Sequence, residues 1–164
     1  MKTAIVYYSL NGNTEFAANK IAENIGADLI PVRPVKAYPD KGFAKLFWGG
    51  KSVVMGEKPK LQPYSFNAEN YDLIIFGSPV WANTIAPPLR TFIQENLISL
   101  KGKTFAFISC FTAAGGDKAL IKLKGYLGVD AVAAELYLVD PKDKPDPANE
   151  QKISEFCEKL KSLG

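Results

Sequence analysis

Apolar runs rich in β-branched residues alternate along this chain with segments whose apolar positions recur every three or four residues. "TAIVYYS" (3–9) is a continuous apolar run of the kind shown by a strand buried on both faces. Residues 14–25 place Ala18, Ile21, Ala22 and Ile25 on one helical face, with Lys20, Glu23 and Asn24 off it, and Gly26 is a natural stop. "ADLIPVRPV" (27–35) reads as a weaker strand, which its two prolines confine to an edge. "YDLIIFGS" (71–78) and "KTFAFISC" (103–110) are strong buried strands. Between them, residues 87–98 form a predicted helix with Pro87 and Pro88 in its first turn. A helix over 116–127 carries Leu120, Leu123 and Leu127, and "AVAAELYLV" (131–139) is the fifth strand. A proline-rich connection (141–147) leads to a last helix, where Ile153, Phe156, Cys157, Leu160 and Leu163 keep helical spacing.

Five strands separated by helices predict an α/β fold: a doubly wound, five-stranded parallel sheet with helices on both faces, in the order 2-1-3-4-5. One domain spanning 1–164 is expected. The connection over 36–70 is longer than a simple crossover. It holds a predicted helix near 40–49 and an extended "KPKLQPYSF" (58–66).

Composition narrows the function. The apolar fraction of 47% supports a substantial core, and a net charge of +3 without blocks of like charge gives no reason to expect nucleic acid. No apolar run reaches the length of a membrane span, and no secretory signal is legible at the N-terminus, so a cytoplasmic setting is expected. With two distant cysteines and no histidine, neither a zinc site nor a histidine-based acid–base or triad mechanism is expected, and no metal site is assigned.

In an open parallel sheet, ligands bind beyond the carboxyl ends of the strands. Three loops there are distinctive. The first, "SLNGNT" (9–14), ends a strand in small neutral hydrogen-bonders just before a helix, whose first amides are unpaired. Gly12 lets the turn tighten, and Ser9, Asn11 and Thr14 add donors, so the loop suits a phosphate; an ordinary strand-to-helix turn would use the same residues. Neither a Gly-Lys-Ser/Thr phosphate loop nor a GxGxxG fingerprint is present. The second loop, "SPVWANT" (78–84), carries Trp81, suited either to stacking on a flat heterocycle or to folding back onto the core. The third, "CFTAAGG" (110–116), is small enough for close backbone approach, with Phe111 as a second apolar wall or a core residue.

"YYSLNGNT", "FGSPVWANTIAPPLRTFI" and "SCFTAAGGD" together resemble, in order and spacing, the three flavin-binding loops of the flavodoxin family. The resemblance covers essentially the whole chain and implies one non-covalently bound FMN and an electron-transfer function. It implies that Ser9, Leu10, Asn11, Gly12, Asn13 and Thr14 hold the phosphate. Ser78, Pro79, Val80, Trp81, Ala82, Asn83 and Thr84 would border the isoalloxazine, and Cys110, Phe111, Thr112, Ala113, Gly115 and Gly116 its pyrimidine side. Residues 47–64 resemble the long insertion of one subgroup, in which Trp48 is read as a packing residue. No side chain is assigned a catalytic acid or base role.

Departures from the family pattern are specific. The pI is near 8.7, whereas flavodoxins are typically acidic. Arg90 is the only charge from Ser78 to Phe92, and no acid follows Cys110 before Asp117. Alanine stands at 82 where many relatives have glycine, and the third loop lacks an aromatic to sandwich the flavin. Fewer carboxylates around the ring should ease addition of the second electron. An alternative therefore stays open: an NAD(P)H-dependent FMN reductase of quinones or other small acceptors, rather than a carrier serving redox partner proteins. The absence of a carboxylate after the first strand argues strongly against a phosphorylatable receiver module.

Overall fold

The computed structural model describes residues 1–39, 51 and 56–164. The helix expected near 40–49, Trp48 included, lies outside the described residues. Strand β1 (Thr3–Tyr7) is buried at every position, so it lies inside the sheet rather than at its edge. It is followed by α1 (Asn13–Ile25), which closes on Gly26 in the left-handed conformation (φ 68°). Strand β2 (Asp28–Pro31) is shorter than expected and lies at the edge. Beyond Pro31 the chain pairs instead with the returning segment of the long connection. Val35 N–H donates to the Lys60 carbonyl and Gln62 N–H to that of Arg33, both at 2.8 Å.

Strand β3 (Leu73–Trp81) runs past the predicted end at Ser78. It turns through Ala82 and Asn83 into a two-residue strand β4 (Thr84–Ile85), antiparallel to it, with Trp81 opposite Thr84 and Val80 opposite Ile85. Helix α2 (Pro87–Leu100), strand β5 (Thr104–Phe111), helix α3 (Gly116–Leu127), strand β6 (Ala134–Val139) and helix α4 (Pro147–Lys161) complete the order. The parallel strands lie as β2-β1-β3-β5-β6, which is the expected 2-1-3-4-5 succession with the short β4 hung from β3.

Alternation along the strands divides the core into two layers. Ala4, Val6, Phe76 and Phe107 pack on the side of Leu89, Phe92 and Ile93 from α2 and Leu120 and Leu123 from α3. Ile5, Tyr7, Ile75 and Ile108 pack on the side of Ala17, Ala18 and Ile21 from α1 and Ile153, Phe156 and Leu160 from α4. Each fully buried Val, Leu, Ile or Phe among these contributes about 1.5–3 kcal/mol. Because β1 sends the chain one way to β2 and the other way to β3, the sheet edge beyond β1 and β3 is the topological switch point where a ligand crevice opens.

Gly77 sets how closely β3 approaches that edge. A Cβ there would lie 2.9 Å from Tyr7 Cβ and 3.2 Å from Thr14 Cγ2. Gly77→Ala is expected to destabilise the fold by about 1–3 kcal/mol through overpacking, measured by urea denaturation. An unchanged midpoint would mean that β1 and α1 separate freely from β3.

Candidate functional site

A cleft of about 290 Å³ opens at the carboxyl ends of β1, β3 and β5. Its walls are Ser9, Leu10, Asn11, Asn13 and Thr14; Pro79, Val80, Trp81 and Ala82; Cys110, Phe111 and Thr112; and Asp140. The three predicted loops therefore converge, and a fourth segment, after β6, joins them.

The first loop folds on itself through a bond from Gly12 N–H to Ser9 Oγ at 3.1 Å. Gly12 has φ 91° and precedes α1, whose start no side chain caps. The first amides of α1 are therefore free to meet an anion. Asn11 contributes a buried side-chain oxygen without a hydrogen-bond partner among the described residues, which a ligand donor would satisfy. Thr14 is buried and hydrogen-bonds the Cys110 thiol. Burial pushes that thiol up to about 12, so Cys110 stays protonated and serves as an apolar wall. Asn13 is engaged elsewhere. Its side-chain oxygen accepts from the N–H groups of Lys142 (2.9 Å) and Asp143 (3.3 Å), and its nitrogen donates to Asp143 Oδ2 at 2.8 Å. What it offers toward the cleft is its backbone.

Trp81 is not a loop residue but the last residue of β3. The turn beyond it has Ala82 at φ 46° and Asn83 at φ 62°, the paired positive angles of a two-residue hairpin that follows the twist of its strands. Two tyrosines hold the indole edge-on: Tyr8 at 5.7 Å between ring centroids (88° between planes) and Tyr38 at 5.3 Å (89°). Tyr8 and Tyr38 themselves pack at 6.4 Å. Such edge-to-face pairs add about 0.5–1.5 kcal/mol each, and they fix the plane of Trp81. Burial raises the Tyr8 hydroxyl far above its ordinary range.

Several residues expected to border the ligand instead shape the walls. Ser78 is fully buried; its hydroxyl accepts from Ala86 N–H at 2.9 Å and donates to the Pro79 carbonyl at 2.8 Å, bracing the hairpin. Thr84 is buried and pairs opposite Trp81. Asn83 lies against Gly115, where a Cβ would come within 2.7 Å of Asn83 Oδ1. Gly116 is the first residue of α3, and a Cβ there would meet the Tyr137 ring at 2.5 Å, Ser109 Oγ at 2.7 Å and Phe111 at 2.9 Å. Its smallness serves packing beneath the cleft. Ala113 is exposed in the short turn between β5 and α3.

Asp140 brings a carboxylate to the cleft from a fourth segment, although the loops over 78–84 and 110–116 carry none. It follows β6, has φ 40°, and lines the cleft. Its carboxylate accepts from Thr112 Oγ1 at 3.0 Å and pairs with Lys144 at 2.9 Å, while its N–H bonds the Phe111 carbonyl at 3.1 Å. No local signal marks it, because its segment reads as a connection.

A cleft of this shape at a switch point, with an uncapped helix start at one side and a braced indole at another, defines a mononucleotide-binding α/β protein. Comparison with known proteins makes this specific: a family model described as Flavodoxin matches residues 2–144. The chain belongs to the flavodoxin family. Among solved structures, a Bacteroides eggerthii DSM 20697 protein described as a flavoprotein is 26% identical, with a TM-score of 0.75 and 96% of each chain covered. A flavoprotein from Lactobacillus acidophilus NCFM, solved in complex with FMN, is 23% identical with a TM-score of 0.71, covering 87% of this chain and 95% of that one. Two-electron reduced Megasphaera elsdenii flavodoxin is 20% identical with a TM-score of 0.60, covering 98% of this chain and 99% of its own. The last two likenesses are of fold.

Ala82 carries the strain of this site. Left-handed backbone costs an L-residue about 1–2 kcal/mol, and glycine relieves it at some cost in unfolded-chain entropy. Ala82→Gly is expected to raise stability by roughly 0.5 kcal/mol in chemical denaturation. A loss of stability would contradict the hairpin geometry.

Proposed function

We propose that this protein is an electron-transfer flavoprotein that holds FMN in the cleft between the first loop, the Trp81 hairpin and the β5–α3 turn. The observation that carries the reading is the pairing, in one cleft, of the uncapped start of α1 with an indole fixed by two tyrosines. FMN, when bound, supplies one- and two-electron chemistry that no side chain here could supply. The chain binds, orients and tunes. The first amides of α1 and the hydroxyls of Ser9 and Thr14 belong to the phosphate side, though Thr14 is partly committed to Cys110. Trp81 gives a flat apolar wall, and Tyr8 and Tyr38 keep it from rotating. Cys110 and Phe111 exclude water from the opposite side. Asp140 places a carboxylate at the cleft and disfavours added negative charge there, an effect that its pairing with Lys144 reduces.

The second reading, an NAD(P)H-dependent reductase of quinones or other small acceptors, is supported by one observation. Beyond Phe111 the β5–α3 turn offers only Thr112, Ala113 and Ala114, all exposed, so among the described residues this turn itself adds no second aromatic to the cleft. Redox partner proteins would serve the carrier; a nicotinamide and a small acceptor would serve the reductase. Among the described residues, no helix is long and apolar enough to cross a membrane.

Two measurements test this. In Trp81→Ala, FMN affinity is expected to fall by about 1–3 kcal/mol, in line with aromatic–base stacking, with partial recovery of flavin fluorescence. Unchanged affinity and quenching would return Trp81 to a packing role. The FMN-loaded protein is expected not to oxidise NADPH unaided, yet to accept electrons from a supplied flavin reductase. Steady NADPH oxidation with a quinone and no added reductase would establish the second reading instead.

A further inference from the structure

The phosphate side of the cleft contains no basic residue in its own loop, yet the fold delivers one from the far end of the chain. Lys142, in the connection between β6 and α4, lays its ammonium on the first loop, donating from Nζ to the Asn11 carbonyl at 3.0 Å. The same Nζ stands 3.0 Å from where a Cβ on Gly12 would lie. The φ of 91° calls for glycine at position 12, and a side chain there would also crowd this ammonium. The side chain is exposed, but its backbone is fixed by the bonds from Lys142 and Asp143 N–H to Asn13 Oδ1. Neighbouring carboxylates are engaged: Asp140 with Lys144 and Thr112, Asp143 with Asn13. Among the described residues, Lys142 belongs to none of the ion pairs.

We propose that Lys142 is the phosphate-reading cation of the FMN site. Its ammonium has three donors, of which the Asn11 carbonyl takes one. Two donors remain for an anion at the neighbouring start of α1, to which the ammonium offers a compact point charge. The phosphate site is then shared between two loops: neutral amides from the first, and a formal positive charge from the β6–α4 connection. This charge makes the site selective for FMN over riboflavin. The assignment rests on FMN occupying the cleft.

The test is the affinity of the full chain for FMN and for riboflavin, by fluorescence quenching at low and high salt, in the wild type, Lys142→Met and Lys142→Arg. Methionine keeps the stem and removes the charge. Lys142→Met is expected to weaken FMN about tenfold or more while changing riboflavin less than about twofold. It is also expected to flatten the salt dependence of FMN binding, and Lys142→Arg is expected to retain most of the wild-type preference. Equal losses for both flavins would reduce Lys142 to a structural clasp and overturn the assignment, as would unchanged FMN affinity. A wild type that binds FMN and riboflavin equally would overturn it too. A wild type that binds neither flavin would overturn the FMN reading itself, and is told apart because it appears before any substitution is made.

Discussion

The amides at the start of α1 have no partners inside their helix, and no side chain caps them. Leaving them unpaired is costly unless water or a ligand meets them, and the rest of the site is arranged around that need. Strand β1 is buried along its length and must stop where the sheet stops. Gly12 turns the chain within a few residues, and Gly77 lets β3 come close enough to bring Trp81 to the same edge. The donors, the indole and the buried thiol wall therefore meet at one switch point because the strands that carry them are neighbours in the sheet.

Charge is organised more sparingly than shape. Among the described residues the cleft has one carboxylate in its wall, Asp140, paired with Lys144. Lys142 and Asp143 belong to the same short connection, so a few residues after β6 bring several formal charges to the first loop and the cleft. A segment that looks like a passive link between a strand and a helix thereby becomes a charged side of the cleft.

The sheet, its strand order and the positions of the first and third loops are legible in the sequence because they depend on local patterns: buried β-branched runs, helical spacing, and Gly26 as a stop. The Trp81 hairpin is harder to read. Its turn is Ala82-Asn83 rather than the usual Asn-Gly, so only the cross-strand pairing of Trp81 with Thr84 reveals that β3 continues. Tyr8 and Tyr38 around the indole, and Asp140 and Lys142 at the cleft, depend on contacts between distant parts of the chain, for which a single sequence holds no signal. Ser78, Thr84 and Gly116, residue types suited to a ligand, also brace the walls of the cleft, a role their local sequence does not announce.

The clasp of Asn13 on Lys142 and Asp143 joins residues 129 and 130 positions apart. Contacts of such separation are the last that a folding chain can afford, since the intervening loop must be closed before they give anything back. During synthesis the first loop leaves the ribosome long before the segment that completes it. Until the segment after β6 has docked, the first loop lacks the backbone donors that hold Asn13 and the lysine that bonds Asn11. The first loop thus reaches its final form only when the far end of the chain has folded against it, and the two ends of the sequence share one structural element.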